Sequence, residues 1–141
     1  MKKQDGFTLI ELITTVAIIG ILATVAWPYF ERQSMKSRRA EGVSALLRAS
    51  NELQRCHSDV GGYVDQNGVD CAFTPNSEHH YYVITAALAT DSFTLTATPQ
   101  GAQADDRECT TLTLTHQGKK GFTTAPLAGE PAGTLNRCWS Q

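Results

Sequence analysis

The chain has 141 residues and 15.3 kDa, a formal net charge of −2 and 18% charged residues, enough for one domain with a modest core. That size excludes a two-domain enzyme. The mean hydropathy of −0.24 averages two unlike parts: from Phe7 to Phe30 the only charge is Glu11, while the remainder is polar, rich in Thr and Gly, and holds all four cysteines. A purely cytosolic globule is thereby excluded in favour of a soluble head on a membrane-inserting stem.

In chain order, the first feature is the apolar run Phe7–Phe30, 24 residues long. A helix of about 20 residues crosses the roughly 30 Å hydrocarbon core of a bilayer, so Leu9 to Tyr29 can span one. Lys2 and Lys3 precede the run, and Arg32, Lys36, Arg38 and Arg39 follow it; cations on both sides do not orient the span. The competing reading is a cleaved secretory signal, with Thr24 and Ala26 as small residues before a cut at Trp27. Against it, the run exceeds the roughly 7–15 residues of a signal's apolar region. Glu11, near its start, is also an acid in hydrocarbon, which costs about 2.5–3.5 kcal/mol at a helix centre. An intramembrane acid marks a functional site that needs a partner. The run contains no Lys, Arg or His, so the partner comes from another molecule.

Gly6-Phe7-Thr8-Leu9-Ile10-Glu11, behind a short basic leader, resembles the processing site of type IV pilins and of type II secretion pseudopilins. The resemblance implies that residues 1–6 are a leader which a prepilin peptidase cuts after Gly6. Phe7 then becomes the methylated amino terminus, and Glu11 neutralises the terminal amine of a neighbouring subunit during assembly. Cleavage places a cation four residues from an anion at one end of an apolar helix, and subunit stacking pairs unlike charges in low dielectric. Residues 7–30 become the transmembrane and assembly helix, and residues 31–141 a head that is periplasmic first and extracellular once in the pilus. Pro28 lacks an N–H and clashes with the carbonyl of Thr24, kinking or opening the helix; Gly20 costs about 1 kcal/mol relative to Ala. In related pilins the stretch between such residues loses helical order in the filament, which makes Gly20–Pro28 an extensible segment. The other reading of Gly20 is close helix packing.

Helical periodicity continues over about residues 31–57. Val43, Leu46, Leu47, Ser50, Leu53 and Cys56 recur at three- and four-residue intervals as one apolar face, with Arg38, Glu41, Arg48, Glu52 and Arg55 opposite. Glu52 is placed to pair with Arg48 and Arg55 along the helix, and Gly61-Gly62 ends it. A helix from Phe7 to about His57 extends about 75 Å, the length of a filament stalk. The cluster Arg32, Lys36, Arg38, Arg39 invites a nucleic-acid reading, but no stacking aromatics interleave with it. Residues 56–141 carry four basic against nine acidic residues, which opposes intrinsic nucleic-acid binding. The cluster reads as a contact with lipid headgroups or neighbouring subunits.

Three segments alternate at the strand period: Tyr81–Ala87 with Tyr82, Ile84 and Ala86 inward, Ser92–Thr98 with Phe93, Leu95 and Ala97 inward, and Cys109–Thr115 with Leu112 and Leu114 inward. A sheet with one apolar face needs a cover, which the Val43–Leu53 helix face supplies. The fold class is α+β: one long amino-terminal helix packed on a small antiparallel sheet spanning about residues 80–122. Phe93-Thr-Leu-Thr-Ala-Thr-Pro99, Cys109-Thr-Thr-Leu-Thr-Leu and the closing Cys138-Trp139 resemble PilE-type minor pilins. Four cysteines allow three connectivities, and an exported head makes disulfides the expectation. With that family's terminal loop closed by a disulfide, the pairs are Cys109–Cys138 and Cys56–Cys71, the second clamping the helix end to the following loop. Trp139 is left as either a packed lid or an exposed contact.

His79-His80 are adjacent and read as solvated loop residues rather than a metal pair. Asp105, Asp106 and Glu108 are oxygen donors of the kind Ca²⁺ takes, and Asp65-Gln66-Asn67-Gly68 begins like an EF-hand without its later ligands; both read as acidic solvated turns. No Gly-x-Ser-x-Gly, His-Glu-x-x-His or P-loop pattern occurs, so no catalytic residue, metal or cofactor is assigned and the chain is not read as an enzyme. The expected function is a minor pilin of a type IV pilus, supporting pilus biogenesis and hence twitching motility, adhesion or DNA uptake. Its partners are the prepilin peptidase, the major pilin, other minor pilins and an inner-membrane assembly platform. The alternatives are a pseudopilin of a type II secretion system and a membrane-anchored exported binding module.

Overall fold

The computed structural model of the protein describes residues 7–64, 68–125 and 133–139. Gly6 and the leader, Asp65–Asn67 and residues 126–132 lie outside these. The elements are α1 (Leu9–Val60), β1 (Tyr82–Ala89), β2 (Ser92–Pro99), a 3-10 turn (Gly101–Asp105), β3 (Thr111–Thr115), β4 (Lys120–Thr123) and α2 (Leu135–Trp139). Two units, Met1–Ser34 and Met35–Gln141, divide the chain; the second is described here and the first below.

Helix α1 stops where its glycines predict. Gly61 takes the left-handed conformation at φ +82 and donates its N–H to His57 O at 2.8 Å, the arrangement that satisfies a helix's last carbonyls. The buried face carries Val43, Leu46, Ser50 and Leu53 as expected, widened by Gly42, Ala45 and Ala49. Leu47 does not belong to it and is exposed, because its place on the 3.6-residue turn falls just outside the covered arc. Small residues dominate because the sheet comes close: a Cβ at Gly42 would lie 2.9 Å from the Tyr82 ring.

The sheet is an antiparallel meander in the order β1-β2-β3-β4. Its register aligns Ile84, Ala97, Leu112 and Phe122 in one inward row, and the outward rows are largely threonine. The α+β architecture of helix on antiparallel sheet is the expected one, with one strand more than the alternation revealed. Strand β4 reads Lys-Gly-Phe-Thr and is only half-buried, so it lacks the alternating pattern that marks a strand. The residues before it are its signal: Gly118 at φ +75 closes a turn with its N–H on Thr115 O. Trp139 is packed, 6% exposed, and donates Nε1–H to Gly121 O at 2.8 Å.

Disulfides join Cys56 to Cys71 and Cys109 to Cys138. By chain entropy the two loops are worth about 3 and about 3.6 kcal/mol. That contribution adds to a core whose large fully buried side chains are Leu46, Leu53, Tyr82, Ile84, Phe93, Leu95 and Leu112.

Beside its apolar core the head buries a polar cluster. Arg39 and Asp106, 5% and 2% exposed, form a two-pronged pair with Nε–Oδ2 at 2.6 Å and Nη2–Oδ1 at 2.7 Å. Nη2 also donates to Glu108 Oε2 at 2.7 Å, and Glu108 Oε1 faces Arg137 Nη1 at 2.8 Å as an ion pair without hydrogen-bond alignment. Gln103 Nε2 reaches Met35 O, Tyr82 Oη and Asp106 Oδ2, and Asp106 Oδ1 accepts from Cys109 N at 3.3 Å. Burial works against the Arg39 charge, but the hydrogen bonds and attraction of the two carboxylates outweigh it and raise its pKa. Two expectations are corrected here. Arg39 is not part of an exposed cationic cluster, and Asp106 and Glu108 are not a solvated turn, because a buried guanidinium needs carboxylates around it. Arg38 is also engaged, 4.7 Å over the Tyr81 ring.

Charged residues of α1 also hold the segment before β1. Glu52 accepts from Thr74 N and Oγ1, Arg48 donates to Asn76 O, and Glu41 accepts from His79 N at 2.8 Å and meets its Nδ1 at 3.0 Å. Glu52 therefore serves this strap instead of the expected pairs along the helix, and His79 is anchored through its ring although its side chain is 65% exposed. Asn76 bridges to Val83, which covers part of the free edge of β1. Burial pushes the Glu41 carboxyl up, but bonds from Ser77 and from the His79 amide and ring more than offset this, leaving it below its ordinary 4.5.

Two outcomes are expected. Arg39→Met strands Asp106 and lowers unfolding stability by about 3–5 kcal/mol, while Arg39→Met with Asp106→Leu recovers part of the loss. Urea and thermal unfolding of the three proteins checks this. Because Glu41 is more acidic folded than unfolded, its contribution is complete above about pH 4.5 and is lost as pH falls through the folded value. Protection of the Ser77 and His79 amides, measured as exchange relative to the intrinsic rate at each pH, therefore falls on acidification, and Glu41→Gln removes most of that acid dependence.

Candidate functional site

The stem starts as a helix for a local reason. Thr8 precedes α1 and its Oγ1 accepts the N–H of Glu11 at 3.3 Å, while its carbonyl accepts from Leu12 N at 3.2 Å. Thr-x-x-Glu is the spacing of a capping box, and an acid in the first turn faces the positive end of the helix dipole. Of such a box the structure shows one half, Thr8 Oγ1 on the Glu11 amide; the spacing would give the Glu11 side chain the other half, a local role that the assembly reading did not include.

Beyond this cap, Leu9, Ile10, Leu12, Ile13, Val16 and Ile18 are all at least 58% exposed, and the same holds for the large apolar side chains on to Phe30. A stem apolar on every side is unlike a surface helix, which hides one stripe. By length and composition this stretch is sufficient to cross a membrane. The threonines within the helix satisfy their hydroxyls internally: Thr14 donates to Ile10 and Glu11 carbonyls, Thr15 to Leu12 O, and Thr24 to Ile21 O. That is the condition for a hydroxyl in hydrocarbon. Trp27 Nε1 donates to Glu31 Oε1 at 3.1 Å, one turn on.

The sequence-selected residues fall into place as follows. Phe7 is 88% exposed at the start of the described stem. Glu11 lies four residues along, and among the described residues no cation lies against its carboxylate. Gly20 has open space around it, so nothing within the chain requires a glycine there. α1 runs through Pro28 without interruption. In the head, Cys56 meets Cys71 and Cys109 meets Cys138. No group of His, Cys, Asp and Glu among the described residues is arranged to hold a metal ion. The chemistry this stem offers is association: apolar surface to be covered, and one carboxylate near its end to be paired.

Comparison with known proteins agrees with this geometry. Residues 1–27 match the prokaryotic N-terminal methylation motif, and residues 28–113 match the family described as type IV minor pilin ComP, DNA uptake sequence receptor. The fimbrial protein EcpC of Eikenella corrodens is 33% identical over 98 residues, covering 69% of this chain and 63% of that protein. The type IV major fimbrial protein FimA of Dichelobacter nodosus is 58% identical over 55 residues, 36% of this chain and 34% of that protein. The matches thus span less than two thirds of these relatives' own lengths. The structure of the non-core minor pilin PilV of Neisseria meningitidis superposes with a TM-score of 0.53 at 21% identity, covering 72% of this chain and 95% of that one, a likeness of fold. With the amino-terminal motif, the stem and the helix-on-sheet head all in agreement, the chain belongs to the type IV pilin family.

Proposed function

We propose that the chain is a minor pilin. It is made with a leader at residues 1–6, cut after Gly6 by a prepilin peptidase and methylated at Phe7. Residues 7–30 hold it in the inner membrane with the head, residues 31–141, in the periplasm, until an assembly platform passes it into an extracellular pilus alongside the major pilin and other minor pilins. Its role is structural rather than enzymatic and needs no cofactor. Through the pilus it serves twitching motility, adhesion or DNA uptake, with Gly20–Pro28 as the segment that yields on extension.

The observation that carries this reading is Glu11: an acid in an apolar stem, with no cation against it among the described residues, four residues from the position that cleavage turns into an amine. Pairing with a neighbouring copy's Phe7 amine removes both charges from hydrocarbon at once.

A second reading has one observation in its favour, the description of the family matched at residues 28–113 as a DNA uptake sequence receptor. Of the head's four basic residues beyond the helix, Arg137 faces Glu108, which leaves exposed Arg107 and Lys119 and Lys120 on the β3–β4 turn and β4 for it, Lys120 lying 5.2 Å over the Trp139 ring. Against it stand the acidic balance of residues 56–141 and the burial of Trp139, which denies bases a stacking platform.

Mass spectrometry of native protein is expected to find a chain starting at a methylated Phe7; a start at Met1 or Trp27 overturns the pilin pathway. Glu11→Gln separates the two roles of that residue, because a capping box accepts glutamine whereas charge neutralisation does not. Failure of Glu11→Gln to enter filaments, scored by immunoblot of sheared pili, supports the charge role, and normal incorporation refutes it. For the DNA reading, binding to duplex DNA is expected to fall steeply between about 50 and about 200 mM salt and to be lost in Lys119→Glu/Lys120→Glu. Absence of binding at the lower salt discards it.

A further inference from the structure

A helix that docks on protein hides one side and wets the other. Between Leu9 and Phe30, α1 has neither kind of side, since its large apolar residues are exposed all around. Before assembly, lipid is the partner that covers all sides at once. The far end of the stretch is built differently from its middle. Trp27, Tyr29 and Phe30 stand 67%, 75% and 69% exposed, and the 3.6-residue turn spreads them around the helix. The next residues are Glu31, which accepts the Trp27 indole N–H at 3.1 Å, and Arg32. An aromatic body with a polar tip prefers the headgroup layer, and a buried indole N–H needs an acceptor. The Glu31 carboxylate supplies that acceptor from the wet side.

We infer that Trp27, Tyr29, Glu31 and Arg32 form an interfacial girdle that binds the headgroup layer of a bilayer and sets the depth of the stem. The inference rests on the membrane-anchored reading above and adds its register. Counting back from Trp27, about 20 residues of helix measure about 30 Å, the thickness of the hydrocarbon core. With Trp27 at one boundary, Phe7 reaches the other, and Glu11 lies only about 6 Å inside it. The penalty for a charge falls from the midplane towards the interface, so the girdle holds the one acid of the stem within reach of hydrated headgroups while it waits for a partner. Pro28 fits the same placement. The Thr24 carbonyl that its ring leaves without a backbone donor lies about 4.5 Å from the girdle, close to water.

The test is depth-dependent fluorescence quenching of the full chain in phosphatidylethanolamine–phosphatidylglycerol vesicles. These carry a phosphatidylcholine brominated either near the headgroup or near the middle of its acyl chains. The protein has two tryptophans; Trp139→Phe leaves Trp27 as the reporter, and subtracting the signal of Trp27→Phe isolates the same residue where the packed Trp139 cannot be spared. Ala17→Trp in a Trp27→Phe/Trp139→Phe chain reports the middle of the stem. Trp27 is expected to be quenched about twofold more by the shallow bromine, with the order reversed at position 17. Trp27 quenched equally or more by the deep bromine overturns the girdle while leaving the stem in lipid. Shallow quenching at both positions means a helix lying on the surface and overturns the register. Quenching at neither position removes the membrane reading itself, and the girdle with it.

Discussion

A guanidinium taken out of water must bring its counter-charges with it, and this requirement shapes the head. Arg39 projects from α1 to Asp106 and Glu108, which follow the 3-10 turn, and Gln103 and Tyr82 extend the hydrogen bonds. Breaking such a pair is expensive while replacing it by apolar groups is often not, so its value lies in where it places the chain. Asp106 ties the segment after β2 to the helix, and its carboxylate also receives the amide of Cys109. Cys109 is bonded to Cys138, and Glu108 faces Arg137. One helical arginine thereby sets the path of the connection into β3 and the seat of the carboxy-terminal turn. Burial keeps the neighbouring phenol neutral as well, pushing the Tyr82 pKa up to about 12.

The same economy recurs along the helix. A head with a small core is held by ties placed where the chain would otherwise wander: a disulfide at the helix end, and Glu41, Arg48 and Glu52 along the strap before β1. These residues do two things at once, solubilising the outer side of α1 and covering part of a sheet edge that would otherwise invite pairing with another chain.

The stem obeys the opposite rule. It satisfies its threonine hydroxyls internally but leaves its apolar side chains and one carboxylate for its surroundings to satisfy. A segment of this composition is stable only when something apolar covers it. Family membership accounts for that dependence, since a pilin exists to be assembled.

By itself the sequence determined what depends on near neighbours. The stem followed from an unbroken apolar run and one misplaced acid, the inward face of α1 from three- and four-residue spacing, three strands from alternation, and the helix end from Gly61. Each of these is a periodicity or a breaker read within a few residues. Tertiary structure alone decided what depends on distant partners. Arg39 stands four residues before Val43, on the apolar face, while Arg38 lies on the other side, yet nothing near it in the chain says that its charge is buried; a carboxylate 67 residues away makes it a buried ion, while Arg38 lies over Tyr81. Glu52 had two arginines at helical spacing and chose Thr74. Strand β4 carries too little alternation to declare itself and exists because β3 offers it an edge. Trp139 could have faced water until Gly121 presented a carbonyl. Local pattern records which side of an element is apolar; which charge meets which, across a folded chain, is settled by where desolvation makes an unpaired group too costly to leave.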